Sequence, residues 1–193
     1  QGIGGTIGTR AKAIISDCQS RQDVLLRAIE LCGPNPIDAK SLYVVSHCYV
    51  WLGAKYRPQA IEYLEKYIAA GASWSGTPRD IIDMGGYSVD QLSSNRASVY
   101  HYLGKAYEGE YMFEKAENAY REAESLCPDF ATYSVCVANT FVKRNDLERA
   151  KAYLNSKKQT IYYKNNVDDY KILLNAALND INSKIEKGYV YKL

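Results

Sequence analysis

A chain of 193 residues with 47% hydrophobic and 24% charged residues has the composition of an ordinary globular protein that can bury a substantial core. Its formal net charge of +2 is spread evenly, with 10 basic and 9 acidic residues before Ala97 and 14 and 13 from there on. That balance excludes a global electrostatic signal for nucleic acid or an anionic membrane, and no apolar run approaches the roughly 18–20 residues that span a bilayer.

Taken in chain order, residues 1–8, "QGIGGTIG", lack the cationic start and apolar segment of a signal peptide. They also lack the Gly-Lys-Ser/Thr ending and preceding strand of a phosphate loop. They read as the tail of a linker, with the chain starting inside a longer polypeptide. "TRAKAIISDC" can form a short helix. "SRQDVLLRAIELCGPNP" reads as a capped helix, with Ser20 as N-cap, Leu25 and Ala28 facing inward, and Gly33-Pro34 ending it.

The middle of the chain carries the strongest pattern. From Val99 to Ala123, apolar and small residues recur three or four apart (Val99, Leu103, Ala106, Tyr107, then Phe113, Ala116, Ala119, Tyr120, Ala123). The phase breaks at Glu108–Tyr111, so two helices of three to four turns are predicted as an antiparallel hairpin. Pro128, which has no amide hydrogen and clashes with a preceding turn, stops the second helix. Gly104 and Ala116 sit inside the pattern as small residues, which places the crossing of the two helices there.

The pattern repeats. A shift of 34 residues takes Leu103 to Val137, Gly104 to Ala138, Tyr107 to Phe141, Ala116 to Ala150 and Tyr120 to Leu154. A shift of 56 residues in the other direction relates Cys48 to Gly104, Trp51 to Tyr107, Ala60 to Ala116 and Leu64 to Tyr120. The 22-residue difference between the two shifts places an insertion at about 76–96, in which Ile81, Ile82 and Met84 could pin a flexible Gly85-Gly86 segment to the rest. Helix hairpins at a 34-residue period predict a solenoid, in which each unit buries its apolar face against its neighbours.

Tyr100, Leu103, Gly104, Tyr107, Ala116, Tyr120 and Pro128 resemble the tetratricopeptide repeat (TPR), whose pattern is aromatic-x-x-Leu-Gly-x-x-Tyr, then Ala-x-x-x-aromatic, then Pro. The resemblance covers about 100 of the 193 residues, in units at about 41–74, 97–130 and 131–164. The first has Cys48 where the family has Gly or Ala. The third has Lys157 in place of a small residue and no closing proline, so its second helix is expected to be shorter. An amphipathic helix at 168–187, through Tyr170, Leu173, Leu174, Ala177, Leu178, Ile181 and Ile185, is expected to cap the array. The final "GYVYKL" packs back or extends freely. The expected fold is all-α: a right-handed TPR-like solenoid of about three repeats plus helical caps, forming one domain over 9–193.

The chemistry-bearing residues are sparse. His47 and His101 lie 54 residues apart, without carboxylate or cysteine neighbours at ligand spacing, and His47 reads as a core histidine. Adjacent His47 and Cys48 point in different directions on a helix and make a poor nucleophile–base pair. Carboxylates fall on helix surfaces, read as solvated faces. No catalytic constellation, metal site or cofactor is expected. Cys18, Cys32, Cys48, Cys127 and Cys136 are odd in number, widely spaced and set among apolar neighbours, which reads as free buried thiols in a reducing cytosol.

What remains is a binding surface. The TPR resemblance implies that the first helix of each unit lines a concave groove. The stripe not used for hairpin packing holds Leu42, Val45, Tyr49 and Leu52, then Ser98, His101, Lys105 and Glu108, then Thr132, Val135, Asn139 and Val142. Apolar at one end and polar in the middle, it suits an extended peptide or a docked helix. The family's clamp for a terminal carboxylate is absent, because its positions carry Val45, Tyr49, Tyr102, Thr132 and Cys136. The expected role is a protein- or peptide-binding module in a larger polypeptide or assembly. The competing reading is a regulatory or nucleic-acid-associated domain, on account of the basic stretch Lys143, Arg144, Arg149, Lys151 and 157–166 with Tyr162 and Tyr163.

Overall fold

The computed structural model of the chain describes residues 22–71, 89–165 and 169–192. The expected linker 1–8, Ser20 and the apolar cluster Ile81–Met84 lie outside the described residues. The chain divides into two compact units, Gln1–Gly71 and Ala72–Leu193. Among the described residues the regular structure is helical throughout.

In the first unit residues 22–31 form helix α1. Gly33 then takes φ 80°, the left-handed conformation that glycine adopts at no steric cost. Helix α2, Ala39–Leu52, opens on Asp38, whose carboxylate accepts the Ser41 amide at 2.9 Å and so satisfies one of the unpaired N–H groups of the first turn. Gly53 ends it, and a 3₁₀ turn, Ala54–Tyr56, leads into α3, Arg57–Ala69. Pro58 falls in the first turn of α3, where its missing N–H has no partner to lose. α2 and α3 pack as a hairpin, burying Ala60, Leu64 and Tyr67 on one helix and Leu42, Val45 and Cys48 on the other.

The second unit is a stack of hairpins. Its helices are α4 (Val89–Gly109), α5 (Phe113–Leu126), α6 (Ala131–Lys143), α7 (Leu147–Lys157) and α8 (Tyr170–Glu186), with a single helical turn at Ile161–Lys164. Each of α4 to α7 packs on the next, and α8 packs on both α6 and α7. α4 begins at Val89 rather than near residue 97, because nothing from Val89 to Leu103 breaks a helix. The last part of the presumed insertion is therefore helical. α7 runs 11 residues against 14 in α5, the shorter second helix expected of the third repeat.

The repeat extends to individual backbone bonds. α4 ends with Met112 N–H donating to Tyr107 C=O at 2.9 Å, and α6 ends with Asp146 N–H donating to Phe141 C=O at 2.9 Å, the same cap one 34-residue period on. The left-handed residues of the two caps are Tyr111 and Asn145, each at φ 61°. Gly109, whose φ is not positive, does not make the turn that its position suggested. Within the hairpins the apolar pattern is the core: Ala116, Ala123, Val137, Ala138, Ala150 and Leu154 are fully buried. Tyr170, Leu174, Leu178 and Ile181 carry the same burial onto α8, while Leu173 stays exposed. Each large side chain so buried contributes about 1.5–3 kcal/mol relative to exposure.

Candidate functional site: the first-helix face of the second unit

The candidate groove residues divide by unit. Leu42 and Val45 are only 3% and 1% exposed. They belong to the core and not to an open face, since apolar side chains on α2 gain by leaving water. Tyr49 and Leu52 are half-buried. Tyr49 lies stacked between Tyr56 and Tyr63, at ring separations of 6.0 and 5.5 Å.

In the second unit, α4 and α6 bring their stripes side by side. Lys105 and Asn139 are exposed, while Ser98, His101, Thr132 and Val135 are half-buried; Val142 is core. Among the described residues three side-chain contacts bridge these helices, one of them the His101 ring 5.4 Å from that of Tyr133. His101 Nε2 lies 3.7 Å from Cys136 Sγ, and Lys143 Nζ lies 2.6 Å from Glu108 Oε1. The other oxygen of Glu108 accepts from Tyr120 O–H at 2.7 Å, so one carboxylate ties α4 to both α5 and α6. His101 has no cysteine at ligand spacing along the chain, yet Cys136 lies beside it in space. The two lie about one repeat apart and meet only when the hairpins stack.

Burial shifts two titratable groups on this face. Burial pushes the Cys136 thiol up to about 12, with the Glu108 carboxylate adding to the effect, so the sulfur is a thiol and not the reactive thiolate. Burial lowers the pKa of His101; the Lys105 charge lowers it further and Glu108 partly opposes this. The imidazole is therefore neutral at pH 7. His47 is likewise lowered by burial, and its Nδ1 sits 3.0 Å from the Tyr43 carbonyl with the ring stacked on Tyr43. Among the described residues no group of His, Cys, Asp and Glu side chains is placed to hold a metal ion.

Two glutamates read as solvated are structural hubs instead. Glu117 is 8% exposed. It accepts from Arg121 Nε at 3.0 Å and from Arg144 Nη1 at 3.0 Å, with Arg149 Nη2 at 3.6 Å. Glu124 takes Lys157 Nζ at 2.8 Å, Tyr153 O–H at 2.5 Å and the Ser134 hydroxyl. Burial alone would raise the Glu124 pKa, but the bonds from Lys157, Ser134 and Tyr153 outweigh it and hold the carboxyl below its ordinary value. Much of the basic stretch is thereby consumed, since Lys143, Arg144, Arg149 and Lys157 all face carboxylates. Among the described residues Cys48 is buried, Cys32, Cys127 and Cys136 are half-buried, and these four are free, whereas Cys18 lies outside the described residues.

Neither a protein-family model nor a curated protein matches the sequence. Among solved structures the chain is similar to the crystal structure of MamA, at 14% identity over 96% of this chain and 99% of that one, with a TM-score of 0.53. It also aligns with MamA residues 41 to the end from Desulfovibrio magneticus RS-1, at 18% identity over 85% of this chain and 98% of that one, with a TM-score of 0.34. The first likeness bears on the fold, which is an all-α solenoid of TPR-like helix hairpins.

Proposed function

We propose that the chain is a protein–protein interaction module whose second unit binds an extended peptide or a helix of a protein partner on the face formed by α4 and α6. One observation carries this reading: two consecutive first helices, bridged at His101–Cys136 and Glu108–Lys143, place the half-buried Ser98, His101, Thr132 and Val135 beside the exposed, polar Lys105 and Asn139. Such a surface combines hydrogen-bonding groups with a rigid support, which favours recognition at low entropic cost. We assign it no catalytic role, since burial holds its cysteine as the thiol and not as the reactive thiolate. The nucleic-acid reading is disfavoured by the internal pairing of the basic stretch. The four cysteines among the described residues are free, which supports our reading of a reducing, cytoplasmic setting. Among the described residues no helix is long and apolar enough to cross a membrane.

The test is a pull-down or peptide-library screen with wild type, Lys105→Glu and Asn139→Ala, each checked for an unchanged melting temperature. Anchor residues should weaken capture by about 1–3 kcal/mol. Equal recovery of every partner by all three proteins would remove the α4/α6 face from consideration.

A further inference from the structure

The chain's last described residues return to the second unit, and they are held there mainly by their backbone. Tyr191 N–H donates to Asn145 Oδ1 at 2.5 Å, and Asn145 Nδ2 donates to the Tyr191 carbonyl at 3.3 Å. One side-chain amide thus pairs with both polar groups of one residue, as a neighbouring strand would. The Tyr191 ring meets Phe113 edge-on at 6.1 Å, and the Lys143 ammonium lies 5.9 Å from its centroid. Phe113 opens α5, while Lys143 and Asn145 lie where α6 gives way to α7, so the site spans the turns of two successive hairpins.

The hold is small. Tyr189 and Val190 are 40% and 60% exposed, so the hold on the hairpin turns comes from the two hydrogen bonds and the ring of Tyr191. Recognition therefore needs a non-helical backbone with its N–H and C=O free to pair, together with an aromatic side chain. Lys143 also pairs with Glu108, so this site adjoins the α4/α6 face at its edge without including Lys105.

We propose that Asn145, Phe113 and Lys143 form a docking site for a non-helical, aromatic-bearing segment of a protein partner, and that residues 189–191 fill it until such a segment displaces them. This rests on the reading of the chain as an interaction module. The tail competes as a tethered ligand: Gly188 turns the chain at φ 61° and Tyr189 N–H donates to the Lys184 carbonyl at 2.9 Å. A tethered segment has an effective concentration on the order of millimolar, so an untethered one binds weakly while the tail is in place.

The experiment uses the full chain and a fluorescent peptide of residues 188–192, GYVYK, followed by anisotropy. Tyr191→Pro removes the N–H that Asn145 accepts and frees the site from outside the helical core. It should bind the peptide about threefold to tenfold more tightly than wild type, the range expected for releasing one hydrogen-bonded competitor. Adding Asn145→Ala to that variant should abolish the gain, whereas Lys105→Glu should leave peptide binding unchanged and so separates this site from the α4/α6 face. In unaltered protein, hydrogen exchange of the Tyr191 amide should accelerate as unlabelled peptide is added. No gain with Tyr191→Pro, a gain that survives Asn145→Ala, or unchanged Tyr191 exchange at saturating peptide would each overturn the proposal.

Discussion

A methyl group on Gly104 would sit 2.5 Å from Cε1 and 2.6 Å from Cδ1 of Tyr120. The glycine of α4 is small because the ring of an α5 tyrosine fills the place of its side chain, a closer account than two backbones meeting. The ring has no room to yield, being 1% exposed with its hydroxyl bound to Glu108 at 2.7 Å.

Gly104→Ala sets two effects against each other. Alanine favours a helix interior by about 1 kcal/mol over glycine, while overpacking costs about 1–3 kcal/mol. The clash should win, with a net loss measurable in urea unfolding. With Tyr120→Ala in the same chain the slot is empty, and Gly104→Ala should become stabilising. Failure of that sign reversal would mean that the ring is not the cause.

Ala116, fully buried on α5, faces a similar limit. Ala116→Leu should lower stability by about 1–3 kcal/mol. A melting temperature equal to wild type would place the tight packing elsewhere.

Glu124 predicts a pH dependence. Its folded pKa lies below the ordinary value of 4.5. Its contribution is therefore complete above pH 4.5 and is lost as the pH falls through the folded value. Glu124→Gln should cost about 1–3 kcal/mol at pH 7, given a charged hydrogen-bond network that is not wholly buried. The gap between variant and wild type should narrow below pH 4 in urea titrations. A gap independent of pH would show that the charge of Glu124 is not what matters.

Thiol reactivity should follow the raised pKa values. Cys127, pushed to about 11 by burial and by its bond to Asp129, and Cys136, pushed to about 12, should alkylate slowly in native protein at pH 8 and rapidly in urea. Mass spectrometry after timed labelling reads this directly. Native Cys136 reacting as fast as the unfolded chain would contradict the burial.

What the sequence made legible is what repeats. Leu103 and Val137, Ala116 and Ala150, and Tyr120 and Leu154 are equivalent by the 34-residue shift, and all six are buried. Packing within a hairpin depends on local periodicity, and periodicity is visible. Contacts between hairpins depend on how far each is rotated on the next, which no single helix encodes. His101–Cys136 and the hubs at Glu117 and Glu124 were missed for that reason. A signal was present, since Glu108 and Lys143, like Glu124 and Lys157, are opposite charges about one period apart. The groove assignment failed at Leu42 and Val45 because an apolar stripe does not say which neighbour covers it.

The carboxylates Glu108, Glu117 and Glu124 all belong to the α4/α5 hairpin, while Lys143, Arg144, Arg149 and Lys157 come from the next. The seam between these hairpins consequently has a direction, with acid on its N-terminal lip and base on its C-terminal lip. Two acidic lips brought together would oppose like charges, which disfavours pairing of identical faces and leaves head-to-tail addition as the compatible geometry. Hairpin order is thus specified by charge as well as by chain connectivity, and exchanging the two hairpins in a rearranged chain would set each lip against the wrong neighbour.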